Sequence, residues 1–282
     1  MKTDSSPVSL TGHFTGQVWC EHGYSPELMG SSLGKILYHL HRPLGWLNNQ
    51  LFGNNLETML LQRHQLIDQL VFKAIEEQGI TQIIEIASGL SSRSIRTLAR
   101  YADEDIHYIE ADLPQMCRWK NERLVDYRLN DSRLKVAPVN ILRSAGNYSP
   151  EHLFASLDST RPTLVITEGL VNYFPLTTIE DFWKRLADML DVFPVATYIS
   201  DIWPNLAAYE VQKTYKLGIQ AIQMFTRQKV PLHYNSEDEI NEGLRHCGFQ
   251  EVTVYNPDNL SDEFDIPAMR GDSLFRVAQA NR

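Results

Sequence analysis

Between Ile83 and Ser94 the chain reads IIEIASGLSSRS, an apolar run with one acid, Glu85, that breaks into small residues around Gly89. Small residues from Ala87 onward at a strand exit let a ligand approach the backbone, and the N–H groups of a following helix add polar contacts. Asp112, in HYIEADLP, falls roughly 20 residues beyond this loop, where an acid would accept the ribose hydroxyls of an adenosine. Glu110 shares its parity, so in a strand both carboxylates face one way. The plainer alternative for each is a surface acid at a strand end. Together these residues suit a nucleotide-like cofactor.

The same loop narrows the choice of cofactor. A dinucleotide fingerprint needs three glycines with separate tasks, and Gly89 stands alone; a P-loop would read GxxxxGK[ST], which is absent. NAD and ATP fit poorly, whereas a ligand without a pyrophosphate needs less of a glycine cradle.

A third group is out of place. In LLQRHQLID, Arg63 lies at helical spacing from Met59 and Ile67, on the apolar stripe. A buried guanidinium needs an anion. That anion is either an internal Asp or Glu, or a ligand carboxylate or phosphate.

These residues must be placed by regular elements. Apolar positions at Leu56, Met59, Leu60, Ile67, Leu70, Val71, Ala74 and Ile75 predict a helix closed by Gly79. Short apolar runs at 82–87, 106–111, 133–139, 163–168, 196–200, 251–255 and 273–279 predict seven strands. Helical patterns near 92–101, 114–129, 178–190, 206–228 and 236–246 fall between them. Thr177-x-x-Glu180 and Ser236-x-x-Glu239 read as capping boxes. Alternating strands and helices predict an α/β fold: a mostly parallel sheet with helices on both faces. The last two strands have no helix between them and should form an antiparallel hairpin. Residues 1–55, rich in Gly, His and aromatics, predict short helices lying as a lid over a domain of residues 56–282.

The bulk composition sets limits. With 282 residues, 43% of them hydrophobic, the chain can build one large core. A net charge of −9 without a basic stripe counts against nucleic acid as a partner. Cys20, Cys117 and Cys247 form no CxxC and no zinc spacing, so no metal is expected. The absence of an apolar leader or spanning run predicts a soluble cytoplasmic protein, with no membrane partner.

EIASGLSSR, YIEADLP and VITEGLVNYFP, in this order, resemble the leucine carboxyl methyltransferase-like family of class I S-adenosyl-L-methionine (SAM) methyltransferases, in its bacterial small-molecule O-methyltransferase branch. The likeness covers roughly residues 56–280, and LRHCGFQEVTVY before the terminal hairpin fits the same picture. It implies a Rossmann-like sheet of seven strands, SAM as cofactor and S-adenosyl-L-homocysteine (SAH) as product. By motif, Arg63 would hold the methionine carboxylate, Gly89 would lie against the methionine end between Glu85, Ala87 and Glu168, and Asp112 with Glu110 would meet the ribose. In VAPVNIL, Asn140 and Ile141 stand at the adenine contact, with an amide in place of the family's acid. Asp68 also matches a family acid, but pairing with an internal arginine is the stronger expectation.

The acceptor side is less defined. A carboxylate acceptor needs orienting donors only, whereas a hydroxyl benefits from a base such as histidine. His64, beside Arg63, is the candidate base, and Tyr173 a candidate donor. His13, Trp19, Tyr24, Asp201 and Trp203 are candidate substrate contacts, with Phe14 as a further apolar wall. The expected function is methyl transfer to a carboxylate or hydroxyl of a small molecule. The alternatives are a peptide or protein C-terminus as acceptor, or a non-catalytic SAM- or nucleotide-binding protein. The sequence sets no oligomeric state.

Overall fold

The computed structural model describes residues 10–52, 55–126, 131–205, 231–260 and 263–282. Seven strands make one sheet in the order β3-β2-β1-β4-β5-β7-β6: β1 (Gln82–Ile86), β2 (His107–Asp112), β3 (Leu134–Pro138), β4 (Thr163–Thr167), β5 (Ala196–Ile202), β6 (Glu251–Tyr255) and β7 (Arg276–Asn281). The first five are parallel, and β7 runs antiparallel to both β5 and β6. This is the fold class expected from the alternating pattern, including the terminal hairpin. The order reverses beside β1, so β1 and β4 leave a crevice at their carboxyl ends, where open α/β sheets bind ligands.

Helices cover both faces. One layer packs Ile179, Phe182, Trp183 and Leu186 of α7 (Leu176–Leu190) and Ile240 and Leu244 of α8 (Glu237–His246) on the sheet. The other packs Leu66, Ile67, Leu70, Val71 and Ala74 of α3 (Leu56–Gln78). α3 starts at Asn55, whose side chain accepts from the Glu57 N–H. It ends at Gly79, left-handed at φ 68°, which only glycine adopts without a Cβ penalty. α4 (Arg93–Arg100) and α5 (Pro114–Asp126) follow β1 and β2, and α6 (Pro150–Phe154) precedes β4.

Several local expectations shift. Ser236 does cap α8, accepting from the Glu239 N–H at 3.1 Å. Thr177 caps nothing: Pro175 is the N-cap of α7, so Thr177 lies inside its first turn. The last strand begins at Arg276 rather than 273. The predicted 206–228 helix lies outside the described residues.

The N-terminal segment forms α1 (Leu10–Glu21) and α2 (Ser32–Phe52). Phe14, Val18 and Tyr38 pack with Leu60 and Leu61 of α3 in a small core of their own. α1 also crosses the carboxyl end of the sheet. Thr11 hydrogen-bonds Tyr173 beyond β4, Gly16 abuts Leu90 beyond β1, and the Trp19 ring lies 4.5 Å from that of His64 on α3. Among the described residues, no helix is long and apolar enough to cross a membrane.

Candidate functional site

The turn after β1 is tightly held. Ala87 is left-handed at φ 57° and Gly89 at φ 48°. The Gly89 N–H donates to Asp112 Oδ2 at 2.7 Å, and the Leu113 N–H donates to Oδ1 at 2.7 Å. Burial raises the Asp112 carboxyl above its ordinary range, against the pull of those two N–H groups. Among the described residues, a Cβ on Gly89 would meet nothing closer than the Ala87 carbonyl at 3.9 Å, so none of them fills the space beside this backbone. Asn140 follows β3 nearby; its Oδ1 accepts from the Leu142 N–H at 3.0 Å, and Ile141 is buried in the core.

Beside the turn lies a buried ionic network. Arg63 Nε donates to Glu168 Oε1 at 3.0 Å and Nη1 to Asp201 Oδ2 at 3.2 Å. Arg93, fully buried at the start of α4, reaches Asp68 (2.5 Å), Glu85 (2.5 Å) and Glu168 Oε2 (2.6 Å). Arg96 binds Asp68 as well. Burial alone would raise the Glu168 carboxyl, but His64, Arg63 and Arg93 outweigh it and hold it well below the usual range. Asp68 thus pairs internally, with two arginines. Arg63 has internal anions too, the first of the two options its position left open.

His64, the candidate base, is enclosed by protein. It is fully buried, with Nδ1 2.9 Å from Glu168 Oε2 and Nε2 2.8 Å from Arg96 Nη2. Burial pushes its pKa down. Neutral, it donates from Nδ1 to Glu168 and accepts Arg96 at Nε2, so both nitrogens are engaged and it is poorly placed as a base. The rings of Trp19 and Tyr24 cover it.

Other candidates divide by position. Glu110, expected to meet the ribose, is fully buried, 2.6 Å from Lys120 Nζ and 2.5 Å from Ser94 Oγ. Asp201 takes the Gly169 N–H at 2.6 Å and Trp203 Nε1 at 3.2 Å besides Arg63. Trp203 is buried and clamped by Asn172 at both N–H (2.9 Å) and C=O (3.0 Å). His13 turns to Ser31 Oγ at 2.8 Å, toward the start of α2. Tyr173 is well exposed, with Thr11 over it. Among the described residues, the buried Nε1 of Trp19 has no hydrogen-bond partner, nor does Ser92 Oγ at the start of α4.

Arg93, Arg96, Lys120 and Asn172 were not singled out by sequence. Arg93 carries a signal in hindsight: a cation in the first turn of a helix opposes the helix dipole and needs an anion there.

The sequence model of the leucine carboxyl methyltransferase family matches residues 47–187. A Mycobacterium ulcerans (strain Agy99) protein named for S-adenosyl-L-methionine-dependent methyl transfer is 28% identical over 145 residues, 50% of this chain and 44% of its own. The Mycobacterium marinum (strain ATCC BAA-535 / M) protein of the same name matches equally. The chain thus spans less than half the length of these relatives. A DUF574 family protein from Streptomyces avermitilis MA-4680 superimposes with a TM-score of 0.62 at 14% identity, over 96% of this chain and 97% of that one. Human N-acetylserotonin methyltransferase in complex with SAM gives 0.50 at 9% identity, over 97% and 66%. At these identities the likeness is one of fold.

Proposed function

The chain belongs to the leucine carboxyl methyltransferase family of SAM-dependent methyltransferases, and from that premise we propose that it methylates an oxygen of a small molecule, most simply a carboxylate. The residues present fit the cofactor: among the described residues, none fills the space beside Gly89 and buried Trp19 Nε1 and Ser92 Oγ find no partner, while Asp112 sits at the adjacent strand end. When bound, SAM supplies a methyl group on a cationic sulfur, from which an acceptor oxygen displaces it in line, leaving SAH.

Asp112 would accept from the ribose hydroxyls while Gly89 lies against the methionine end. Asn140 would meet the adenine through an amide that both donates and accepts. Arg63, with Nε and Nη1 committed to Glu168 and Asp201, offers Nη2 to a carboxylate, and Glu168 adds negative charge beside the amino group.

The observation that carries the small-molecule reading is the path of α1. It crosses from Tyr173 past Leu90 to His64, a path along which it would enclose the mouth of the crevice. An enclosed site suits a small acceptor better than a chain end, which needs a groove. The carboxylate reading rests on His64: with both nitrogens engaged, it leaves proton abstraction without an obvious agent, and a carboxylate needs none. Tyr173 and Trp19 would orient the acceptor as donors.

Calorimetric titration with SAH, with NADH as control, tests the cofactor; binding of SAH alone is expected. Labelled SAM with panels of carboxylic acids, phenols and peptides ending in a free carboxylate then tests the acceptor. Turnover of phenols with a rate rising through neutral pH would replace the carboxylate reading, and turnover of the peptides alone would replace the small-molecule one.

A further inference from the structure

Lys120 projects from α5 into the protein, and its side chain is fully buried. Nζ lies 2.6 Å from Glu110 Oε2 and donates to Ser88 Oγ at 3.0 Å. The other Glu110 oxygen accepts from Ser94 Oγ at 2.5 Å. Lysine is almost never buried unless paired. A buried ion pair is often no better for stability than apolar side chains of the same volume. What this pair supplies is therefore position, and what it positions is Ser88.

Ser88 stands between the two left-handed residues of the turn, Ala87 and Gly89. For a residue with a Cβ that conformation is strained, and it persists only where the surroundings over-determine it. Ser88 is held at all three of its polar groups. Its N–H donates to Ala111 O at 3.3 Å, its carbonyl accepts from the Ser91 N–H at 2.9 Å, and its hydroxyl takes Lys120. The first two are backbone bonds that most residues could make. The third depends on the side chains at 88 and 120. The next N–H along, that of Gly89, is the one that grips Asp112.

We propose that Lys120 is a positioning residue for the cofactor turn, fixing Ser88 and thereby the Gly89–Asp112 contact against which SAM binds. The proposal rests on the SAM reading above. Lys120 itself touches neither cofactor nor acceptor; it links α5, β2 and the turn into one unit.

The test compares wild type, Ser88→Ala, Ser88→Thr, Lys120→Met and the Ser88→Ala/Lys120→Met double variant by SAH calorimetry, melting and steady-state kinetics. Ser88→Ala should weaken SAH about 5- to 10-fold, the scale of one lost hydrogen bond, with KM for SAM rising more than kcat falls and melting little changed. Ser88→Thr, which keeps the hydroxyl, should restore affinity. In the Lys120→Met background Ser88→Ala should cost nothing further. Unchanged SAH affinity in Ser88→Ala, no rescue by threonine, or losses that multiply in the double variant would overturn the proposal. Lys120→Met leaves Glu110 without its cation; should it not fold, the Ser88→Ala and Ser88→Thr pair decides alone. A wild type that melts cooperatively yet binds no SAH overturns the cofactor reading instead, and this proposal with it.

Discussion

Arg63 and Arg93 hold opposite oxygens of one carboxylate, that of Glu168, at 3.0 and 2.6 Å. Glu168 thus joins α3 and α4 at the end of β4. Glu168→Gln keeps the shape but removes the charge between two buried guanidinium groups. Breaking such a pair costs about 3–5 kcal/mol. Because Arg63 retains Asp201 and Arg93 retains Asp68 and Glu85, the lower end of that range is expected, read from the urea midpoint.

Arg63→Met separates scaffold from binding. Glu168 keeps Arg93, and Asp201 keeps the Gly169 and Trp203 N–H groups. The expected result is SAH affinity lower by about 1.5–3 kcal/mol, the scale of a charge-assisted hydrogen bond, in a protein that still melts cooperatively. Normal affinity with a much lower melting temperature would make Arg63 purely structural.

Asp112→Ala should weaken SAH by a similar amount, about 1.5–3 kcal/mol. Its pH dependence has a defined sign. Burial raises the Asp112 carboxyl, and the ionised form is the better acceptor for ribose hydroxyls. SAH affinity should therefore fall on acidification while still above the ordinary carboxylate range, and the Asp112→Ala variant should lack that limb in calorimetry.

Stability should fall on the acid side in two stages. His64 has a folded pKa below the ordinary value of about 6.5, so the unfolded chain takes its proton first. The stability it lends is complete above about 6.5 and is lost as pH drops from there through the folded value. Glu168, also lowered, adds a loss beginning below about 4.5. Glu110, Asp112 and Asp201, raised by burial, act with the opposite sign, adding stability as pH falls toward the ordinary carboxylate range. Burial lowers His13, His41 and His233 as well, so melting temperature should decline between pH 7 and 5.5 in wild type, and His64→Gln should make that decline shallower without removing it.

Gly16→Ala examines the cover over the crevice. A Cβ there would stand 2.6 Å from Leu90 Cδ1 and 2.8 Å from Leu90 Cβ. Alanine favours the helix by about 0.5–1 kcal/mol over glycine, so a loss would come from the contact. Displacing α1 should lower turnover roughly 10- to 100-fold, as ångström-scale misplacement does. The melting of the main domain should hold. Deleting residues 1–30 should abolish turnover with the fold intact.

Much of the architecture was legible because it depends on periodicity. The spacing from Leu56 to Ile75 and the glycine at 79 place α3 within a residue of where it lies. Seven apolar runs map onto seven strands, and the missing helix before the last strand gives the hairpin. The site was legible only where spacing along the chain carries the chemistry, as for Gly89 and Asp112, which do meet. The parity of Glu110 with Asp112 holds along the strand, but which partner waits on that face depends on α5, and Lys120 arrives from there. His64 stands beside Arg63 as a candidate base, but Trp19 and Tyr24, some forty residues earlier, cover it. The Thr177 pattern failed because Pro175, two residues upstream, had already begun the helix.

The strand order has a consequence for biosynthesis. β6 is made before β7 yet pairs with the sheet only through it, because β7 lies between β5 and β6. While the ribosome works from Glu251 to Phe275, β5 is an open edge, a template for pairing with other nascent chains. The parallel core can assemble during translation, but its exposed flank is sealed last. Stop codons or frameshifts between Ile202 and Arg276 would leave that edge uncovered, so such products should aggregate even with every residue of the cofactor turn intact.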